Sequence, residues 1–337
     1  MKANPIDGFK VDKSDIGYIG KDLQRPECLL AESDGVIWAA DARGGVVRID
    51  PDGSQKVITQ SYTRSFEQFS DSVSRFTEGT LPNGLAFAAN GDILISNFGT
   101  DCLEIMTRTG ETSILLNSIE GEPIGKVNFV LRDSKDRIWL TISTKLKNWM
   151  SAISPKIIDG YIALYDQGRI RIVAEGFHFT NEIRLDEKEE WLYIAETCAR
   201  HVTRMRVQPD GSLTDREIYG PSDTGALIDG IAFDSYGNLW GTHVMTDRIF
   251  AITPDGRLRV ILEDDNRKAS KALMDAFEED KVTPEQMLRC GGEIAPWFAS
   301  VTFGGKDLKT VYIGSLRGSR IPYFLSPVAG LPMVHWN

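Results

Sequence analysis

At 337 residues, with 42% hydrophobic and 26% charged side chains, the chain has the composition of a folded protein able to bury a large core, which excludes disorder. A net charge of −10 and a pI near 5.1, with no basic stripe, argue against nucleic acid or an anionic membrane surface as a partner. Four dispersed cysteines form no CxxC pair, and no apolar run suits a bilayer span or a signal peptide, so reduced thiols and a cytoplasmic location are expected.

One pattern recurs six times: a polar residue, a short apolar run, a turn and a second apolar run. The polar residue always stands eight positions before the turn residue. The pairs are Glu27 and Gly35, Asn83 and Gly91, Asn128 and Asp136, Asn181 and Glu189, Asp229 and Gly237, and Ser300 and Leu308. Further strand-like segments follow at 45–50, 102–106, 160–165, 201–207 and 248–252, each running into a turn such as Asp50 to Gly53 or Thr253 to Gly256. Turns recurring at roughly 45 to 70 residues, with about four strands to a repeat, predict propeller blades. The expected fold is therefore all-β, a six-bladed β-propeller over residues 1–337 as a single domain.

Two stretches interrupt the pattern. Residues 145–159, with Trp149 and Met150, fall between the second and third strands of the third repeat and read as a long loop. Residues 263–298 precede the last blade and contain 271–280 and 283–289, where Thr283, Pro284 and apolar positions at helical spacing predict two short helices. Both insertions are expected to cover one mouth of the central channel. At the end of the chain, 320–325 and 333–336 are expected to add strands to the last blade, with one terminus closing the ring.

In a propeller the innermost strands run along the axis, so equivalent positions form a ring at one mouth. Glu27, Asn83, Asn128, Asn181, Asp229 and Ser300 would be that ring, offering oxygen from every member and a negative charge from two. Carboxylate and amide oxygens suit one hard divalent cation, Ca²⁺ foremost, with Mg²⁺, Mn²⁺ or Zn²⁺ as rivals. Other chemistries lack their signatures: there is no GxSxG, no HExxH and no intact phosphate loop. His178 lies just before Asn181 and His243 just after a blade strand, which places either within reach of the mouth; His201 and His335 read as core or surface.

These repeats, with Pro26-Glu27, Asn181 before the run 184–197, Asp229-Gly230 before 231–240 and the closing 303–313, resemble the SMP-30/gluconolactonase/regucalcin-like family. The resemblance implies a divalent metal held by Glu27, Asn181 and Asp229, with Asn128 adding a metal or substrate contact, and hydrolysis of lactones or, in related members, organophosphates. Where the family commonly has Asn-Asp this chain has Asn128-Phe129; Lys126 replaces a frequent Arg, and the usual Asn-Gly is Asn181-Glu182. With Trp149 and Trp297 near the expected mouth, these departures point to a ligand more apolar than gluconolactone.

The expected chemistry is opening of a cyclic ester by metal-activated water, with Asp229 as the proton acceptor. Asn83, Lys126, Asn128, Phe129, Trp149, His178, Glu182, His243 and Trp297 are the expected substrate contacts. A small molecule is the expected partner, and oligomeric state is left open. Two alternatives share the same ring: a phosphotriesterase-like hydrolase, and a non-catalytic propeller that uses the metal for stability and serves as a binding scaffold.

Overall fold

Each repeat reverses tightly because its turn residue adopts the left-handed backbone: φ is 94° at Gly35, 84° at Gly91, 59° at Asp136, 54° at Glu189, 96° at Gly237 and 56° at Leu308. Glycine does this without steric cost, and Asp tolerates it because its side chain bonds locally. In three repeats an acid ahead of the turn also accepts the indole N–H six residues on: Glu32 from Trp38 (2.6 Å), Asp133 from Trp139 (2.9 Å) and Asp234 from Trp240 (2.8 Å). The acid therefore ties each turn to the strand that follows.

The computed structural model describes residues 3–61 and 79–336, and these form six four-stranded antiparallel blades around a central channel. The innermost strands are Leu29–Ala31, Pro82–Phe87, Val127–Arg132, Thr180–Leu185, Ile228–Phe233 and Phe298–Gly304, and nearly all of their residues are buried. The ring closes as expected in kind: Gly17–Ile19 near the N-terminus pairs antiparallel with Ile321–Leu325 as the outer strand of the sixth blade, Gly17 facing Tyr323.

One expected strand is corrected. Val334–Trp336 is a turn of 3-10 helix, not a strand, because the N-terminal strand already takes the free edge of the last blade. His335 Nε2 and Trp336 Nε1 instead reach the Ala31 carbonyl at 2.9 and 2.8 Å, laying the C-terminal segment across the lower end of the channel.

The insertions have the expected character. The third blade carries the loop between its second strand (Ile138–Ile142) and third strand (Gly160–Asp166), with a 3-10 turn at Trp149–Ala152. Helix α1 spans Arg267–Glu278 and α2 spans Pro284–Arg289. The first helix starts earlier than the apolar spacing predicts, because Asn266 caps it by accepting from Ala269 N. The second begins with a capping box between Thr283 and Gln286 and with proline at its first turn. Leu273, Phe277 and Met287 from these helices join Ile153, Phe98, Phe179, Met245 and Trp297 in one apolar cluster. All four cysteines are free and buried, and among the described residues no helix is long and apolar enough to cross a membrane.

Candidate metal centre

The innermost strands of blades two to six shift register where the predicted ring residues stand: between Pro82 and Leu85, Val127 and Phe129, Thr180 and Ile183, Ile228 and Ile231, and Phe298 and Val301. A bulge leaves its residue outside the ladder and re-aims its side chain. Here it brings Asn83, Asn128, Asn181 and Asp229 to one small cavity of about 50 Å³, which Glu27 from the first blade completes. Ser300 does not line this cavity; its hydroxyl donates to the Glu27 carbonyl (2.6 Å) and fixes that residue's backbone.

The polar wall contains buried oxygens that the protein leaves unpaired: Glu27 Oε2, Asn128 Oδ1 and Asn181 Oδ1 have no hydrogen-bond partner. Each such atom costs roughly 1–3 kcal/mol, so three at one place are a strong sign of an external partner. Asn181 donates through its amide to Thr197 Oγ1 (3.1 Å) and bonds Asp229, which leaves its oxygen for the cavity. Burial, then the nearby Asp229 charge, pushes the Glu27 carboxyl well above its ordinary range; burial, then Glu182, does the same to Asp229. Both acids would be relieved by a cation. Among the described residues no group of three or more His, Cys, Asp or Glu side chains is arranged to hold a metal. The donor set here instead combines two carboxylates with amide oxygens, and that mixture fits a hard divalent ion.

One residue of the cavity escaped the sequence reading. Arg25 is half-buried in its wall, donating from Nη2 to Asn83 Oδ1 (2.6 Å) and from Nη1 to the Pro82 carbonyl (3.1 Å). Its signal was an Arg immediately before the Pro26-Glu27 pair. The Glu27 N–H donates back to the Arg25 carbonyl (2.8 Å), so Arg25, Pro26 and Glu27 form a tight turn that aims opposite charges at one space.

The predicted substrate contacts divide. Asn83, Asn128, Trp149 and Trp297 line the cavity, although both Asn83 amide hydrogens are already donated, to Glu27 Oε1 (3.2 Å) and the Asn128 carbonyl (3.0 Å). Asn83 is therefore a strut for its neighbours. Five others lie outside the lining. Lys126 is buried behind Phe98, paired with Asp101 at 2.9 Å. Phe129 and Glu182 each follow a ring residue and fill the next layer down, where Gly84 and Gly230 leave them room: a Cβ on either glycine would stand 2.6 Å from the Phe129 ring or 3.1 Å from Glu182 Oε1. Glu182 pairs with Arg184 at 2.8 Å there, and burial raises its pKa to about 7. His178 turns to Glu196 (Nδ1 to carboxylate 3.5 Å). His243 stacks on Phe250 and meets Thr224 Oγ1 at 3.0 Å; its burial lowers its pKa to about 3, so it is neutral.

Above the polar wall the cavity is aromatic. Trp149 meets Phe98 and Phe179 edge-on at 5.8 and 6.4 Å, while Trp297 is held by a bond from its indole to the Cys290 carbonyl (3.1 Å). Four lining residues that are not glycine, Arg25, Phe179, Met245 and Trp297, have φ between 56° and 68°. Left-handed backbone at non-glycine residues costs energy and gathers at functional sites.

The family model described as the SMP-30/Gluconolactonase/LRE-like region matches residues 58–270. The chain belongs to this family. Serum paraoxonase/arylesterase 2 of Rattus norvegicus is 26% identical over 155 residues, 43% of this chain and 42% of that protein. The 6-deoxy-6-sulfogluconolactonase of Pseudomonas putida is 25% identical over 154 residues, 45% of this chain and 43% of that enzyme. The matched part of the chain thus spans less than half the length of either relative. In three dimensions, regucalcin from Agrobacterium tumefaciens, described as a calcium-binding protein, superposes with a TM-score of 0.64 at 15% identity, covering 94% of this chain and 96% of that one. At that identity the likeness establishes the fold of this family member.

Proposed function

We propose that this SMP-30/gluconolactonase/LRE-like propeller is a divalent-metal-dependent hydrolase that opens a lactone more apolar than gluconolactone. The observation that carries the reading is the convergence of two carboxylates, Glu27 and Asp229, and the amides of Asn128 and Asn181 on one cavity beneath an aromatic cover, with three of their buried oxygens unpartnered. The names of the relatives, a gluconolactonase among them and a calcium-binding protein, agree with it.

Glu27, Asn128, Asn181 and Asp229 would hold the cation, with Ca²⁺ the expected ion. When bound it supplies Lewis-acid polarisation of the ester carbonyl and a more acidic water. The remaining work belongs to the chain. Asp229 accepts the proton that the attacking water loses and returns it to the ring oxygen as the carbon–oxygen bond breaks, so that water and lactone become one hydroxy acid. Asn83 holds Glu27 and Arg25 in register. Phe98, Trp149, Phe179 and Trp297 exclude bulk water and receive the apolar body of the substrate.

The test is a panel of lactones of increasing alkyl length, together with phosphotriesters, assayed with Ca²⁺, Mg²⁺, Mn²⁺ or Zn²⁺ and after chelation. Turnover of apolar lactones that stops on chelation is expected. Preference for the phosphotriesters would replace lactone by phosphoryl chemistry, and a metal-dependent rise in Tm with no ester turned over would make the protein a binding scaffold.

A further inference from the structure

Arg25 has no place in a simple oxygen cage, and its surroundings say what it is for. Its side chain lies half-buried in the wall that carries Glu27 and Asp229, both of which face its charge. Its backbone is locked. Ala42 N donates to the Gln24 carbonyl (2.8 Å), Gln24 N to Asp41 Oδ2 (3.0 Å) and Ser315 N to the Pro26 carbonyl (2.8 Å). Arg25 itself sits at φ 56°. A strained backbone, a tight turn and two side-chain bonds to the second blade all serve to hold one guanidinium at one point.

The charges at that point do not balance once a cation is present. The lining offers two carboxylates, Glu27 and Asp229, against Arg25 and a dication, which leaves one positive charge in excess. Neighbouring charges do not correct the sum. Glu182 is paired with Arg184 below at 2.8 Å, and Asp101 with Lys126 behind Phe98 at 2.9 Å, so neither pair adds a net negative charge. The rest of the lining is uncharged, amides and a threonine beside apolar side chains, so the missing charge has to come from the ligand. A guanidinium has five donors, and the two bonds to the second blade commit one on each terminal nitrogen.

We infer that Arg25 is the anion-holding residue of this cavity, and that the preferred ligand is a monoanion on an apolar body, the carboxylate of the ring-opened acid. This rests on the hydrolase reading for the source of the anion. It deepens that reading, because the same single charge appears first as the developing oxyanion of the ester and then as the product carboxylate. Arg25 is thus a determinant of transition-state and product affinity, and the product acid is a competitive inhibitor.

The probes are hexanoate and hexanamide, alike in shape and unlike in charge, titrated into the full chain loaded with Ca²⁺ and followed by calorimetry. The Ca²⁺-loaded protein is expected to favour hexanoate by about tenfold or more, the worth of a charge-assisted bond. Arg25→Gln is expected to remove that preference and leave hexanamide unchanged. It should also bind Ca²⁺ more tightly, because a positive neighbour of both carboxylates is gone; a merely structural arginine would give weaker Ca²⁺ binding. Equal affinity of the native chain for the two probes, or equal weakening of both by Arg25→Gln, overturns the inference. Should that variant not fold, Arg25→Lys must show a reduced preference, and an unchanged one overturns it equally. Binding needs no turnover, so the two readings fail separately. If no lactone is opened but Arg25 governs hexanoate, the hydrolase falls; if lactones are opened and Arg25→Gln binds hexanoate normally, the anion-holding role falls.

Discussion

The channel has two mouths, and the larger opening is the less informative. The lower one is a cavity of about 420 Å³ between the hairpin turns and the C-terminal segment, yet Arg132, Arg184, Asp186 and Glu189 in its lining are met from within the protein, and Glu187 and Lys188 are exposed. Arg132 bonds Asp136 (2.5 Å) and the Phe87 carbonyl (2.7 Å), and Glu189 accepts from the Ser134 amide and hydroxyl. The upper mouth holds about 50 Å³ and keeps three buried oxygens without partners. Unpaired polarity in a dry place, rather than volume, marks where a ligand is needed, because the protein has already met the cost of burial there.

The sharpest way to break this contrast is Asp229→Asn at the upper mouth. Metal-dependent ester turnover should fall by about 10²–10⁴-fold, the range for loss of a general base, measured as kcat in the presence of Ca²⁺. A fully active variant would remove Asp229 from its role.

A second prediction follows from protonation. Glu27 and Asp229 titrate above their ordinary range in the metal-free fold, so above about pH 4 the native state holds protons that the unfolded chain has released. Their contribution to metal-free stability is full below that pH and is lost as pH rises through the raised folded values. Ca²⁺ requires the deprotonated pair and offsets the loss. The difference in Tm between Ca²⁺-loaded and chelated protein should therefore widen as pH rises above the ordinary carboxylate range; once the pair is deprotonated, Ca²⁺ at about 100 times its Kd is worth roughly 2.7 kcal/mol of stability. A gap that does not change with pH would contradict the placing of these acids around the ion.

Smaller effects test the cover and the far mouth. Trp149→Ala should raise KM for apolar lactones by roughly tenfold, the value of one buried aromatic face, with a smaller change in kcat. Lys188→Glu, at the lower mouth, should leave Ca²⁺ affinity and turnover within about twofold of the parent, since exposed charges act weakly at a distance. A large response there would mean that the two ends of the channel communicate.

How far the site could be read from the chain depended on whether a residue lies on the repeat. The eight-residue offset located Glu27, Asn83, Asn128, Asn181 and Asp229, and the same offset predicted six turns that all prove left-handed. Phe129 and Glu182 were misplaced because the bulge that aims residue 128 or 181 at the mouth sends the next one down the channel, and a bulge leaves no mark in a single sequence. His178, His243 and Lys126 looked suitable by nearness along the chain, but Glu196, Thr224 and Asp101 had already claimed them. Arg25 was missed for the opposite reason: it belongs to no repeated position.

The sequence by itself determined the number of blades, the turns and the polar ring, because those follow from local backbone preference and a period that any repeat must keep. Tertiary structure alone decided which oxygens stay unpaired, which charges cancel and that Arg25 faces Glu27 and Asp229. Those outcomes depend on distances between blades, and hydrogen bonds and Coulomb terms act through space, where residues remote along the chain become nearest neighbours.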